Sequence, residues 1–342
     1  MTDETPQSKA PPRNAFKKKL KFVAFFALGI AILLVILQSL GITPAIALEA
    51  LLNVGYFYSA LIIAIYFILT FFVALKWRAI VMTITPDIAP YKGYFMYYGA
   101  LSFLVNGLIP QAGFGVRVGS LKLLYGVPTS KGIMIQFIDQ LTDLTVIVML
   151  FFPGLLYVMH LLTIEEALLF LLATIATVFL AIKFTNVRRV KRVGNWLAGR
   201  TTGLKRFSLF EKFSALFVDV PFEKLNITWL MFIGLIRILF SIYCTLIMMW
   251  AAGISITYME LLLVAPVVYL IGLFSFTPQG IGTVDAGWLG VLLIIGIDKI
   301  AIGKFLIIEL AWGNLAHVIV TVITYLAYTI FNWLRIERES AA

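Results

Sequence analysis

The sequence predicts an all-α polytopic membrane protein with about six full spans and two Pro/Gly-broken re-entrant helical hairpins forming an inverted repeat. Three observations predict it. The 342 residues are 61% hydrophobic and only 13% charged, with a mean hydropathy of +1.00, whereas soluble domains carry about a quarter charged residues. Several nearly uncharged windows of about 18 residues or more can each cross a hydrocarbon core of ~30 Å at ~1.5 Å per residue. Two further apolar stretches contain Pro and Gly where a continuous helix would have to run.

Residues 1–21 read as a basic cytoplasmic tail, disordered because Met1 to Arg13 is rich in Pro, Ser, Thr and charge. The run Phe22 to Leu40 is too long for a signal-peptide core and no small-residue cleavage site follows it, so it is a retained span. A single transmembrane domain then covers 22–334, with full spans at 22–40, 56–75, 133–152, 165–183, 227–250 and 305–331. Its halves, 22–183 and 227–334, are joined by a basic segment, 184–226, and 335–342 is a cytoplasmic tail.

The stretches 93–127 and 259–297 are broken, the first from Asn106 to Gly115 and the second from Pro278 to Gly282. Hydrocarbon penalises the backbone groups that a break frees, so such breaks belong in protein or against a water-filled cavity. Pro110-Gln111-Ala112-Gly113-Phe114-Gly115 aligns with Pro278-Gln279-Gly280-Ile281-Gly282 with one residue of offset.

The formal charge of +10 follows topology rather than a nucleic-acid stripe, because the cations fall between apolar segments. Lys17, Lys18, Lys19 and Lys21 place the N-terminus inside, Lys76 and Arg78 follow the second span to the inner face, and Arg335 and Arg338 return the C-terminus there. This parity holds if the hairpins enter from opposite faces, as in an inverted repeat whose broken helices meet near the midplane. Residues 184–217 mix cations with Trp196, Leu197, Phe207, Phe210, Phe213 and Phe217, a pattern suited to anionic inner-leaflet lipids. The location expected is the cell membrane.

Charges at membrane depth are retained where they have a partner or a task. They are Arg117, Lys122, Asp139, Asp143, Arg237, Asp285 and Glu309. Arg117, with the amides of Gly113 to Arg117 at a new helix start, either forms a phosphate site or only neutralises a carboxylate. Asp139 and Asp143 share a helical face and need cations, for which Arg117 and Arg237 are the candidates. Asp285 follows the second break as Arg117 follows the first, and an Arg117–Asp285 pair is a further possibility. Glu309, Gly313 and His317 lie on one stripe, where His317 either shares a proton with Glu309 or is a satisfied buried imidazole. One cysteine, Cys244, and two histidines, His160 and His317, give no disulfide framework, metal cluster or cofactor motif. No nucleophile, Walker or nucleotide constellation is present, so no enzyme is expected.

Asn106, Pro110, Gly113 and Arg117 followed by Asp139 and Asp143, then Pro278, Gly280, Gly282 and Asp285 before the last span, resemble the flippase-like membrane family related to the transmembrane region of lysylphosphatidylglycerol synthases. The sequence departs from that pattern at Gly115, Gln140, Asp285 and Glu309. The resemblance implies movement of a phospholipid or polyprenyl-linked lipid, with Gly115, Arg237 and Glu309 beside those motif residues at the headgroup site. It carries no soluble aminoacyl-transferring domain, so lipid aminoacylation is not expected. Two other functions fit the same residues: an ion-coupled secondary transporter of a small anion, and a non-transporting membrane partner subunit. A cavity open to lipid favours the first reading.

Overall fold

The computed structural model describes residues 13–88, 90–109, 111–184, 222–273, 277 and 280–341, giving only the backbone course of 13–25, 184, 222 and 335–341. Eleven α-helices and no strands occur among the described residues: α1 (Arg13–Ser39), α2 (Pro44–Leu52), α3 (Gly55–Ile84), α4 (Lys92–Leu108), α5 (Ala112–Tyr125), α6 (Thr129–Val158), α7 (Ile164–Phe184), α8 (Ile227–Ala251), α9 (Tyr258–Leu273), α10 (Thr283–Ile294) and α11 (Lys299–Ala341). Helices α3, α6, α7, α8 and α11 are long and apolar enough to cross a membrane, and α1 with α2 would make a sixth span, bent by 95°. The bend follows from Thr43, whose side chain caps α2, and from Pro44 at the first helical position, where its missing N–H costs nothing.

Both broken stretches are antiparallel helical hairpins. In α4–α5, Asn106 meets Gly113, Ser102 meets Arg117 and Tyr94 meets Ser120. In α9–α10, Gly272 faces Val284, and the Tyr269 and Trp288 rings lie edge to face at 6.4 Å. The returning legs α5 and α10 have 14 and 12 residues, or about 21 and 18 Å of helix, short of a hydrocarbon core of ~30 Å. Each is therefore too short to cross by itself, as the returning leg of a re-entrant hairpin is.

Helix packing repeats under exchange of α3–α4–α5–α6 with α8–α9–α10–α11. The closest neighbours, α6 with α9 and α4 with α11, map onto each other; so do α6 with α8 and α3 with α11, while α3 and α8 pack together. Phe72 stacks on Phe240, and the Lys76 ammonium approaches Gly234, so α3 and α8 run antiparallel. This is the arrangement of an inverted repeat. Small residues permit the close crossings: a Cβ on Gly154 of α6 would overlap the Leu263 carbonyl of α9.

Several sequence boundaries need correction. Part of the expected N-terminal tail, from Arg13, is helical, and so is the expected C-terminal tail as far as Ala341. Helix α2 was not foreseen. The second span continues past 75 to Ile84, because Trp77 and 79–82 extend the apolar pattern beyond two cations. Residues 1–12, most of the basic segment (185–221) and its proposed lipid contacts, and Pro110 and Pro278 lie outside the described residues.

Candidate functional site

The longer α3 moves Lys76 from the expected inner-face loop into the protein, where it is 1% exposed. There it organises the charges. Its ammonium lies 3.1 Å from Asp139 Oδ1 and 2.7 Å from Asp143 Oδ1, and it donates to the Asp139 carbonyl at 2.8 Å. Asp139 Oδ2 accepts from Arg117 Nη1 at 2.9 Å, and Asp143 Oδ2 lies 2.8 Å from Arg237 Nη2. The result is a chain, Arg117–Asp139–Lys76–Asp143–Arg237, in which every carboxylate oxygen faces a cation.

Four helices supply this chain: α3, α5, α6 and α8. Asp139 and Asp143 lie one turn apart on α6, and Gly234 on α8 has no side chain to block Asp143, whose Oδ1 would stand 3.1 Å from a Cβ there. Arg117 is fixed further by Nε donating to Ser102 Oγ at 2.9 Å and by the faces of Trp77 and Phe103, 5.3 and 5.8 Å from its guanidinium carbon. Three cations against two carboxylates leave one positive charge over. Burial of such a set is costly unless its members satisfy one another.

The chain borders a cavity of ≈ 130 Å³, lined also by Asn106, Gly113, Phe114, Gln136 and Gln140. Two buried donors here have no acceptor among the described residues. Gln136, 2% exposed, receives Arg117 Nη1 on its Oε1 at 3.5 Å, which leaves Nε2 unpaired, and Arg237 Nε is likewise unpaired. Neither orphan donor was legible in the sequence, and Lys76 was read as a loop cation. The signal for Lys76 was its place within an apolar run that continues to Ile84.

At the helix start expected to hold an anion, the first amides already have partners. Asn106 Oδ1 accepts the Gly113 N–H at 2.7 Å, while the Ala112 and Phe114 amides bond to Ile109 and Gln111 carbonyls. The hairpin itself consumes these amides. Gly113 is needed for closure, since a Cβ would overlap the Ser102 carbonyl. Gly115 faces the other way, onto an open groove of ≈ 450 Å³ beside Leu123 and Leu124, and Lys122 is exposed at the last turn of α5.

The second hairpin does not join the charge chain. Asp285 pairs with its own break rather than with Arg117: its Oδ2 accepts the Gly282 N–H at 2.7 Å, because it stands three residues into α10 where a carboxylate reaches back. Gly280 and Gly282 turn the chain at φ 78° and 83°. Helix α1 covers this break, with Gly29 so close that a Cβ would stand 2.8 Å from the Ile281 carbonyl. Glu309 lies in a neighbouring cavity with His317, whose ring stacks on Phe103 at 5.4 Å and meets Tyr66 edge-on at 4.6 Å. His317 and Glu309 thus share a wall; the imidazole's contacts are with rings.

The structure therefore gathers Asn106, Gly113, Arg117, Asp139, Asp143 and Arg237 at one cavity, sets Glu309 beside it, and leaves Gly115, Gly280, Gly282 and Asp285 elsewhere. A family model described as Lysylphosphatidylglycerol synthase TM region matches residues 22–308. No curated protein and no solved structure matches the chain.

Proposed function

The chain belongs to the lysylphosphatidylglycerol synthase TM-region family, and on that footing we propose a flippase-like transporter that carries a lipid by its phosphate-bearing headgroup through the cavity at the first hairpin. The observation that supports this most is the unbalanced cluster: one surplus positive charge, with Arg237 Nε and Gln136 Nε2 buried and lacking acceptors. A bound phosphate cancels the charge and accepts both donors. A phospholipid or a polyprenyl-linked lipid brings that phosphate while its tails remain in hydrocarbon. The reading contains no catalytic step.

It also places the protein in the cell membrane with both termini and 184–226 on the cytoplasmic side, supported by Lys17 to Lys21, the cations from Arg188 to Lys212, Arg335 and Arg338. Cysteines introduced at Lys191 and Arg335 should be silent to an impermeant external reagent in intact cells. The sole native cysteine, Cys244, is buried and should not interfere.

The transport reading is tested by lipid translocation in reconstituted vesicles. Arg117→Ala should abolish most of it, and Arg117→Lys should restore only part, because an ammonium lacks the planar fork that grips two oxygens. The decisive variant joins Arg117→Ala to Asp139→Asn, which removes the Arg117–Asp139 pair while Lys76 keeps Asp143. If that double variant moves lipid as well as the unmodified protein, Arg117 only neutralises Asp139 and the headgroup role is wrong.

A further inference from the structure

A second cavity, of ≈ 170 Å³, adjoins the first and shares Phe103 and Arg237 with it. Its chemistry has the opposite sign. Glu309 of α11 makes no ion pair among the described residues. The buried indole N–H of Trp288 lies near it without a formed hydrogen bond. The cavity that Glu309 borders is also lined by hydroxyl-bearing residues of three other helices: Tyr66 of α3, Ser241 and Thr245 of α8, and Tyr269 of α9. The Tyr269 hydroxyl is 3.1 Å from Ser241 Oγ and 3.3 Å from Thr245 Oγ1, so these oxygens converge.

A carboxylate at membrane depth is retained where it has a partner or a task. No cation pairs with Glu309 among the described residues, and Asp285 adds charge of the same sign. Oxygen atoms around a single carboxylate suit a small hard cation. We propose that Glu309, with the hydroxyls of Tyr66, Ser241, Thr245 and Tyr269, binds a small monovalent cation, H⁺ or Na⁺, that travels with the anionic substrate. Binding stands on this cavity alone; the coupling rests on the headgroup reading above. Arg237 links the two, since it borders both cavities and bonds to Asp143. A cation on Glu309 removes the negative charge that competes with the anion for Arg237, so each occupant favours the other.

The groups that could titrate beside Glu309 are Tyr66, Arg237, Cys244, Tyr269, Asp285 and His317. The experiment therefore compares variants as well as pH. Melting of the purified protein is followed with sodium chloride replaced by choline chloride at constant ionic strength, and separately across pH without sodium, because a ligand of the folded state raises the melting temperature as it binds. Sodium should stabilise the unmodified protein saturably, or acid should do so without sodium; these outcomes identify Na⁺ or H⁺ respectively. Glu309→Gln should lose that response, Glu309→Asp should keep it, and Tyr269→Phe or Ser241→Ala, which conserve the packing, should move its midpoint. Arg117→Ala should keep it, which separates this proposal from the headgroup reading. Absence of any response in the unmodified protein, or an unchanged response in Glu309→Gln, overturns the site. So does a Glu309→Gln variant whose cation response is intact but whose preference among lipid headgroups changes.

Discussion

The two hairpins share a backbone plan and satisfy it by different means. The first is held by partners distant in sequence: Arg117 of α5 reaches Asp139 of α6, and Asp139 and Asp143 share Lys76 of α3. The second closes on itself through Asp285 and Gly282 and is covered by α1 at Gly29. Their tips differ as well. Gln111 takes the left-handed conformation in the first, at φ 63°, whereas glycines do so in the second. The difference teaches that an inverted repeat can keep its geometry while dividing charge unequally. The first half brings two cations and two carboxylates and takes the surplus cation, Arg237, from the second, whose Asp285 and Glu309 form no ion pair among the described residues.

If the first hairpin truly depends on a distributed network, Lys76→Met should produce the largest loss. It leaves Asp139 and Asp143 sharing two cations instead of three, and breaking a buried pair by removing one partner costs about 3–5 kcal/mol. Chemical unfolding in detergent micelles measures this. Adding Asp143→Asn should deepen the loss, because Arg237 then loses its carboxylate; stability equal to the unmodified protein in Lys76→Met alone would mean that Lys76 does not hold the network together.

A middle-sized effect should separate the covered hairpin from the uncovered one. Gly282→Ala places a Cβ at φ 83° and 2.8 Å from the Gly29 carbonyl, and such strain costs of order 1–3 kcal/mol. Gly29→Ala presses on the same contact, so the two losses should combine to less than their sum. Gly113→Ala separates the legs of the other hairpin and should add fully to Gly29→Ala. Additivity between Gly29→Ala and Gly282→Ala would show that α1 does not clamp the second break.

The smallest effect should be a gain. Gln111→Gly relieves a left-handed non-glycine residue, which costs roughly 1–2 kcal/mol, against glycine's loss of about 0.5–1 kcal/mol of chain entropy. A rise in melting temperature with reduced translocation would mark Gln111 as held in strain for transport. A fall in melting temperature would show that the side chain itself secures the tip.

What the sequence determined alone is whatever depends on neighbours along the chain. Hydropathy over one helix length set the spans, and Pro and Gly set the breaks, because helix propensity and membrane partition act over about 20 residues. Asn106, Gly113, Arg117, Asp139, Asp143 and Arg237 were recognisable because charge and breaks are rare in such segments. Which charge meets which was decided only by the tertiary structure. Lys76 lies 63 positions from Asp139 and 67 from Asp143, and its burial depends on how far α3 continues and how its helix is rotated. Asp285 shows the converse, since a carboxylate three residues into a helix can turn to its own backbone instead of a distant cation. Sequence supplies the inventory of charges; pairing depends on helix rotation and depth, which arise only when the helices pack and exclude one another's volume.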